Sequence, residues 1–232
     1  MVPGADFEAQ RSLLLERRAI DLVLDVGANE GQYATALRAS GFSGAIISFE
    51  PLATALAVLR SNATPDPDWQ VIGSAVGAEA GQGELNIAGN SVSSSLLPTL
   101  DRHVEAAPDS AVVGAETVEV ASLDHLVGRE VANCSAALLK IDVQGFEAEV
   151  IQGAREILEG GKVVAIEVEM SFASLYGGQS AWKEVWDLIE GIGFLPRAIR
   201  NGFRDPATGE LLQADVIFGQ SDRGGVVERE GS

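Results

Sequence analysis

Leu22-Val23-Leu24-Asp25-Val26-Gly27-Ala28-Asn29-Glu30-Gly31 is the stretch that decides the fold. Residues 22–26 are an almost continuous apolar run carrying one carboxylate, the pattern of a strand buried on both faces in a parallel sheet. Gly27 ends the strand, and Gly31 opens a helix expected over residues 31–40, closed by Gly41. Glycines at such a turn let the chain bend sharply and let a ligand approach the main chain. The loop is not the phosphate-gripping G-x-G-x-x-G, because Asn29 holds the second glycine's place. No G-x-x-x-x-G-K-[ST] loop exists in the chain, which counts against a nucleoside triphosphatase.

The alternation continues outward. Upstream, a helix is expected over residues 7–19, with Leu13, Leu14 and Leu15 on its buried side. Downstream, residues 45–49 read as a second strand stopped by Glu50-Pro51, and residues 52–62 as a helix with Pro51 near its first turn. Later strands at 136–141 and 163–168 alternate with helices at 147–158 and 180–190. Trp182, Val185, Trp186 and Ile189 fall at helical spacing in the last of these, which assigns them to the core. Strands at 195–199 and 214–218 flank a turn at 204–209 and predict an antiparallel edge hairpin. The fold class expected is therefore α/β: a doubly wound, mostly parallel, seven-stranded Rossmann-like sheet with a hairpin at one edge.

The middle of the chain breaks this rhythm. Residues 69–76 and 83–88 read as strands around a Gly-rich turn at 77–83. A serine-rich loop at 89–95, a Pro- and Ala-rich stretch to 113 and a short strand at 117–120 follow. Residues 83–125 are assigned to an insertion beside the sheet and a candidate substrate lid, within a single domain over 1–220. The polar residues 221–232 read as a flexible tail.

Composition narrows the function. The 232 residues suit one large domain. Thirty-four acidic residues against sixteen basic ones give a formal charge of −18. Such a surface repels phosphate backbones and anionic headgroups, so neither nucleic acid nor membrane is an expected partner. Cys134 is the single cysteine, which leaves no intrachain disulfide and no cysteine-based metal site; it reads as a small buried hydrophobe. Met1-Val2-Pro3-Gly4-Ala5-Asp6 carries no signal-peptide pattern, and no apolar run reaches the roughly 20 residues of a membrane span. A cytoplasmic location is expected.

Two further signals concern chemistry. Glu50 closes the second strand 23 residues beyond Gly27, where an acid in a doubly wound fold accepts hydrogen bonds from both ribose hydroxyls of a nucleoside. An acidic helix cap before Pro51 fits the same spacing. Then, within Leu139-Lys140-Ile141-Asp142-Val143-Gln144-Gly145-Phe146-Glu147, Asp142 falls at a strand's carboxyl end and shares a face with Lys140. Glu167 and Glu169 share a face at the next strand's end. Such charges must be paired, hydrated or metal-bound, and a plain ion pair with Lys140 is one outcome. A nicotinamide-dependent dehydrogenase shares the early grammar. The Tyr-x-x-x-Lys that the short-chain type needs is missing, since Tyr33 is followed four residues on by Leu37 and Tyr176 by Ser180.

Asp25-Val26-Gly27-Ala28-Asn29-x-Gly31, Phe49-Glu50-Pro51, Ser93-Ser94-Ser95-Leu96, Ser122-Leu123-Asp124 and the 139–147 stretch together resemble the FkbM-type methyltransferases, in order from about residue 20 to 190. One departure is Gln144, where members commonly carry Glu. The resemblance implies a class I methyltransferase fold, S-adenosylmethionine as donor, and O-methylation of a small-molecule hydroxyl on a sugar, glycoside or polyketide. On this reading Asp25, Gly27, Ala28, Asn29, Gly31, Tyr33, Glu50, Pro51, Ser74, Ala75 and Ser95 hold the cofactor. An alkyl hydroxyl must lose its proton during attack, so a base or a metal is needed. Asp142 is the candidate base, beside Lys140, with His103 in the lid as a second. Asp142, Glu167 and Glu169 are candidate ligands for Mg2+, since hard oxygen donors suit it. A homodimer is the assembly to test. A nucleoside-binding sensor or an inactive scaffold on the same fold is the non-enzymatic alternative.

Overall fold

The computed structural model describes residues 7–221. Its first half runs α1 (Phe7–Arg17), β1 (Leu22–Val26), α2 (Gln32–Ala39), β2 (Ala45–Phe49), α3 (Ala53–Ala63) and β3 (Trp69–Ile72). A middle section holds β4 (Ala75–Val76), β5 (Gly81–Ala88), α4 (Asp101–Ala106) and β6 (Val112–Ala121). The second half is α5 (Leu123–Asn133), β7 (Ala137–Ile141), α6 (Glu147–Gly153), α7 (Arg155–Glu159), β8 (Val163–Ser171), α8 (Trp182–Gly191), β9 (Phe194–Asn201) and β10 (Gln213–Gln220).

Seven strands form one sheet in the order β3-β2-β1-β7-β8-β10-β9. β3, β2, β1, β7 and β8 run parallel, and β10 lies antiparallel to both β8 and β9. The expected sheet and edge hairpin are present. β1 and β7 are buried at all five positions, which is why they read as continuous apolar runs. Alternate residues feed two layers. Val23, Ile46 and Leu138 face Leu15, Leu37 and Leu59 of the first three helices. Leu24, Leu139 and Ile166 face Leu123, Val150, Ile157 and Ile189 of α5 to α8.

Where local pattern misleads, packing gives the reason. The expected strand 69–76 is two strands in two sheets, broken at Gly73 and Ser74, where a Cβ on Gly73 would sit 2.7 Å from Leu56. β4, β6 and β5 form a three-stranded sheet with its own small core of Leu52, Ala55, Ala75, Leu85 and Val118. The stretch read as loop to 113 contains α4, and residues 123–125 belong to α5, whose Leu123, Val127 and Val131 are core. The helix expected over 147–158 breaks at Ala154. Just before it, Gly153 lies so close to Gly77 that a Cβ would meet that carbonyl at 2.0 Å.

In α1 the buried stripe is Phe7, Arg11 and Leu15, and Leu13 is exposed. Trp182 is 39% exposed and edge-on to Phe172, not core; Trp186 packs on Phe218. Cys134 is half-buried, its thiol donating to the Val131 carbonyl at 3.1 Å. Ser221 is tied to the Gly193 carbonyl through its N–H and hydroxyl; the rest of the expected tail and residues 1–6 lie outside the described residues. Among the described residues no helix is long and apolar enough to cross a membrane.

Candidate active site

The carboxyl ends of β1, β2 and β7, with Glu167 from the middle of β8, border a cleft of about 450 Å3, within the range of small-molecule sites. Its first wall is the turn after β1. Gly27 and Gly31 sit at φ +77° and +90°, and Asn29 takes the left-handed conformation at +47°, which Asn tolerates better than most side chains. Asn29 donates its backbone N–H to Glu50 Oε2 at 2.8 Å, and Glu50 Oε1 accepts the Leu52 N–H at 2.7 Å. Glu50 thus ties the loop tip to the start of α3 while still lining the cleft. Burial pushes its carboxyl above the usual range, against those two N–H bonds.

A charged row crosses the floor. Strand register sets Ser48, Asp25, Lys140 and Glu167 side by side on β2, β1, β7 and β8. Lys140 Nζ lies 3.3 Å from Asp25 Oδ1, 3.5 Å from Asp142 Oδ2 and 3.2 Å from the Gly27 carbonyl. Burial works against its charge, but Asp142, Asp25 and Glu167 together hold it protonated well above the ordinary lysine value. Burial raises the Asp25 carboxyl, with Lys140 opposing. Glu167 receives Arg11 through Nε and Nη2, both at 2.7 Å, and the Tyr33 hydroxyl at 2.8 Å. Burial, then the Glu167 charge, keeps that hydroxyl protonated.

Gln144 joins the floor to the far side. Its Nε2 donates to Asp142 Oδ1 and to Glu169 Oε2, each at 2.7 Å. Glu169 also accepts from Gln213 Nε2 at 2.7 Å. Burial raises the Glu169 carboxyl well above its ordinary value, and the charges of Asp142 and Asp215 add to the effect. Ser95 Oγ donates to the Gln144 carbonyl at 2.7 Å.

The structure brings many of the expected residues together. Gly27, Ala28, Asn29, Tyr33, Glu50, Pro51, Ser74, Ala75 and Ser95 line the cleft, as do Lys140, Asp142 and Glu167. Asp25 is buried below it, and Gly31 is bare because Leu59 and Trp69 occupy the space a Cβ would need. His103 requires correction. It is buried in α4 against Tyr176 and Phe203, outside the cleft lining, and burial lowers its pKa. It does not line the cleft that Asp142 lines.

The expected Mg2+ set does not assemble either. Glu167 is occupied by Arg11 and Tyr33, Glu169 by two amides away from the cleft lining, and Asp142 by Lys140 and Gln144. Among the described residues no group of three or more His, Cys, Asp or Glu is placed to hold a metal ion. The serine-rich loop at 89–95 is held in place, not loosely hung. Asn90 caps Ser93, Ser91 meets Asn29, and the Tyr176 hydroxyl lies 3.0 Å from the Ser93 carbonyl.

Sequence reading missed Arg11, Arg200 and Asp215, which also line the cleft. Arg11 had a signal, a charge spaced four residues from both Phe7 and Leu15. Arg200 and Asp215 had none, since only the β9–β10 pairing sets them opposite each other, 2.9 Å apart.

The Methyltransferase FkbM domain model matches residues 25–196. Among solved structures, the chain is similar to an rRNA methylase from Streptococcus thermophilus, with 12% identity and a TM-score of 0.50 over 95% of this chain and 98% of that one. A precorrin-6y C5,15-methyltransferase from Geobacter metallireducens aligns over 94% and 90%, with 11% identity and a TM-score of 0.45. Fibrillarin from Aeropyrum pernix, with natively bound S-adenosyl-L-methionine, aligns over 85% and 66%, with 11% identity and a TM-score of 0.43. At such identities the first likeness speaks to the fold alone. No curated protein matches the chain.

Proposed function

The chain belongs to the FkbM methyltransferase family, and from that premise we propose that it transfers a methyl group from S-adenosylmethionine to a hydroxyl of an uncharged small molecule, a sugar, glycoside or polyketide. When bound, S-adenosylmethionine supplies an electrophilic methyl group on a sulfonium. The residues present suit it. Glu50 spends one lone pair of each oxygen on a backbone N–H and keeps acceptor capacity toward the cleft for ribose hydroxyls. Phe49, Val76, Leu85 and Phe146 offer an apolar wall for a flat base. Gly27 lines the cleft, and its missing Cβ makes room for the Asp142 carbonyl, which brings the turn after β7 against the turn after β1.

The observation that carries the reading is Asp142. Its side chain is 34% exposed, lines the cleft, and has Oδ2 beside Lys140 and Oδ1 on Gln144. A hydroxyl attacking the methyl carbon gives up its proton, and Asp142 is the carboxylate placed to take it. Charge balance supports an uncharged acceptor. Arg11 is matched by Glu167, Arg200 by Asp215 and Glu8, and Lys140 by Asp25 and Asp142. The formal charge of −18 further disfavours a polynucleotide acceptor.

Asp142→Asn tests the proposal. Release of S-adenosylhomocysteine with a panel of glycosides should fall by roughly 10²–10⁴-fold, with S-adenosylmethionine affinity nearly unchanged by calorimetry. Near-normal turnover in the variant would overturn the base assignment. Tight cofactor binding by the native chain with no turnover on any hydroxyl would favour a sensor.

A further inference from the structure

We propose that Gln144 is a positioning residue that orients Asp142 for proton abstraction; the inference rests on the reading of Asp142 as the base. Gln144 adopts φ +54°, a conformation that residues with a β-carbon rarely take. Its backbone is held there by the Ser95 hydroxyl on its carbonyl at 2.7 Å. The result is a buried primary amide aimed between two strand ends.

Each end of that amide is engaged. The two N–H donors go to Asp142 Oδ1 and Glu169 Oε2, both at 2.7 Å. The Tyr176 hydroxyl lies 2.9 Å from Oε1 and 3.0 Å from the Ser93 carbonyl, so its single proton serves two acceptors. The two carboxyl groups, which offer acceptor oxygens, set which end is nitrogen.

A primary amide is an uncharged group that can give one N–H to each of two carboxylates at once. It therefore separates Asp142 from Glu169 without adding charge, and it holds Asp142 by Oδ1. Oδ2 then remains on the Lys140 side, 3.5 Å from Nζ, and Asp142 lines the cleft. Asp142 alone has two side-chain torsions with which to turn away. With the amide in place, its plane is set from one side by Gln144 and from the other by Lys140. A base must meet its proton within hydrogen-bond reach, so this constraint acts on turnover and not on cofactor binding.

Gln144→Met keeps the length of the side chain and removes its hydrogen bonds. With saturating S-adenosylmethionine, kcat on a glycoside acceptor should fall roughly 10- to 100-fold, while the cofactor Kd stays within about twofold of the native value. In an Asp142→Asn background the same substitution should cost less than about twofold, because no base is left to orient. If Asp142→Asn is itself nearly fully active, the reading of the base fails. If Asp142→Asn is inactive but Gln144→Met keeps native kcat, or the two losses multiply, the positioning inference is overturned. Should Gln144→Met fail to fold, Tyr176→Phe carries the test: it frees Oε1, and a native kcat there equally overturns the inference.

Discussion

Gly27 and Asp142 approach so closely that a Cβ on Gly27 would stand 1.8 Å from the Asp142 carbonyl oxygen. The Asp142 N–H also donates to the Val26 carbonyl at 3.0 Å. The turn after β1 and the turn after β7 are therefore packed backbone against backbone, which sets the separation between the 27–31 loop and Asp142.

Gly27→Ala meets both this contact and a φ of +77°. Left-handed strain and overpacking each cost about 1–3 kcal/mol, so the variant should lose more than about 3 kcal/mol or fail to accumulate folded. Urea denaturation reads this directly. A native midpoint would mean that the two turns can separate.

Arg11 and Glu167 form a buried bidentate pair between α1 and β8, each side chain under 10% exposed. Removing one member leaves the other charge buried, which typically costs 3–5 kcal/mol. Arg11→Met should lower stability by about that amount, and Arg11→Met/Glu167→Gln should recover part of it. An equal loss in single and double variants would show that Arg11 acts by filling space rather than by its charge.

Glu50 ties the loop tip to the start of α3, in keeping with the cap reading of its spacing, and its proposed ligand role is separable from that work. Glu50→Ala strips the Asn29 and Leu52 N–H groups of their acceptor, so a loss of about 1–3 kcal/mol of stability is expected. If Glu50 also holds the ribose, S-adenosylmethionine binding should weaken by about 1.5–3 kcal/mol, roughly 10- to 150-fold. Calorimetry on the folded fraction separates the two effects. Undiminished affinity would leave Glu50 as a loop anchor only.

Glu147 gives a pH signature. Burial pushes its carboxyl up to about 7 from an ordinary 4.5, against the N–H bond it accepts from Gly145. Between those values the folded chain holds the proton more tightly than the unfolded chain, so this residue's contribution falls as pH rises through 4.5 to 7. Glu147→Gln removes the titration and keeps the acceptor. Its Tm relative to the native chain should be near zero or negative at pH 5 and rise toward pH 8, by roughly 2–4 °C for each kcal/mol relieved. A difference independent of pH would contradict the assignment.

Much of the architecture is legible because it is local. A strand buried on both faces must be apolar throughout, as residues 22–26 and 137–141 are, and a glycine must stand where φ is positive and a backbone approaches. The sheet, its edge hairpin and the turn at residues 27–31 follow from that alone. The break at Gly73 was not legible, because both halves of 69–76 are good strand sequence and only the competing sheet draws Ala75 and Val76 away. His103 misled for the opposite reason. The Pro- and Ala-rich stretch around it read as part of a lid, while Tyr176 and Phe203, remote in sequence, bury it.

The sequence by itself determined which residue types stand at or near these strands' cleft side: Glu50 after β2, Lys140 and Asp142 around the end of β7, Glu167 within β8. Tertiary structure alone decided what those charges do. Parallel register sets Asp25, Lys140 and Glu167 in one row, and Arg11 reaches Glu167 across 156 residues of chain. Gln144 reaches back to Asp142, across to Glu169, and to Tyr176 on the loop after β8. A carboxylate's role as base, ion-pair partner or metal ligand depends on which groups lie within about 4 Å of it, and that distance is set by strand pairing and helix docking, neither of which has a local signature.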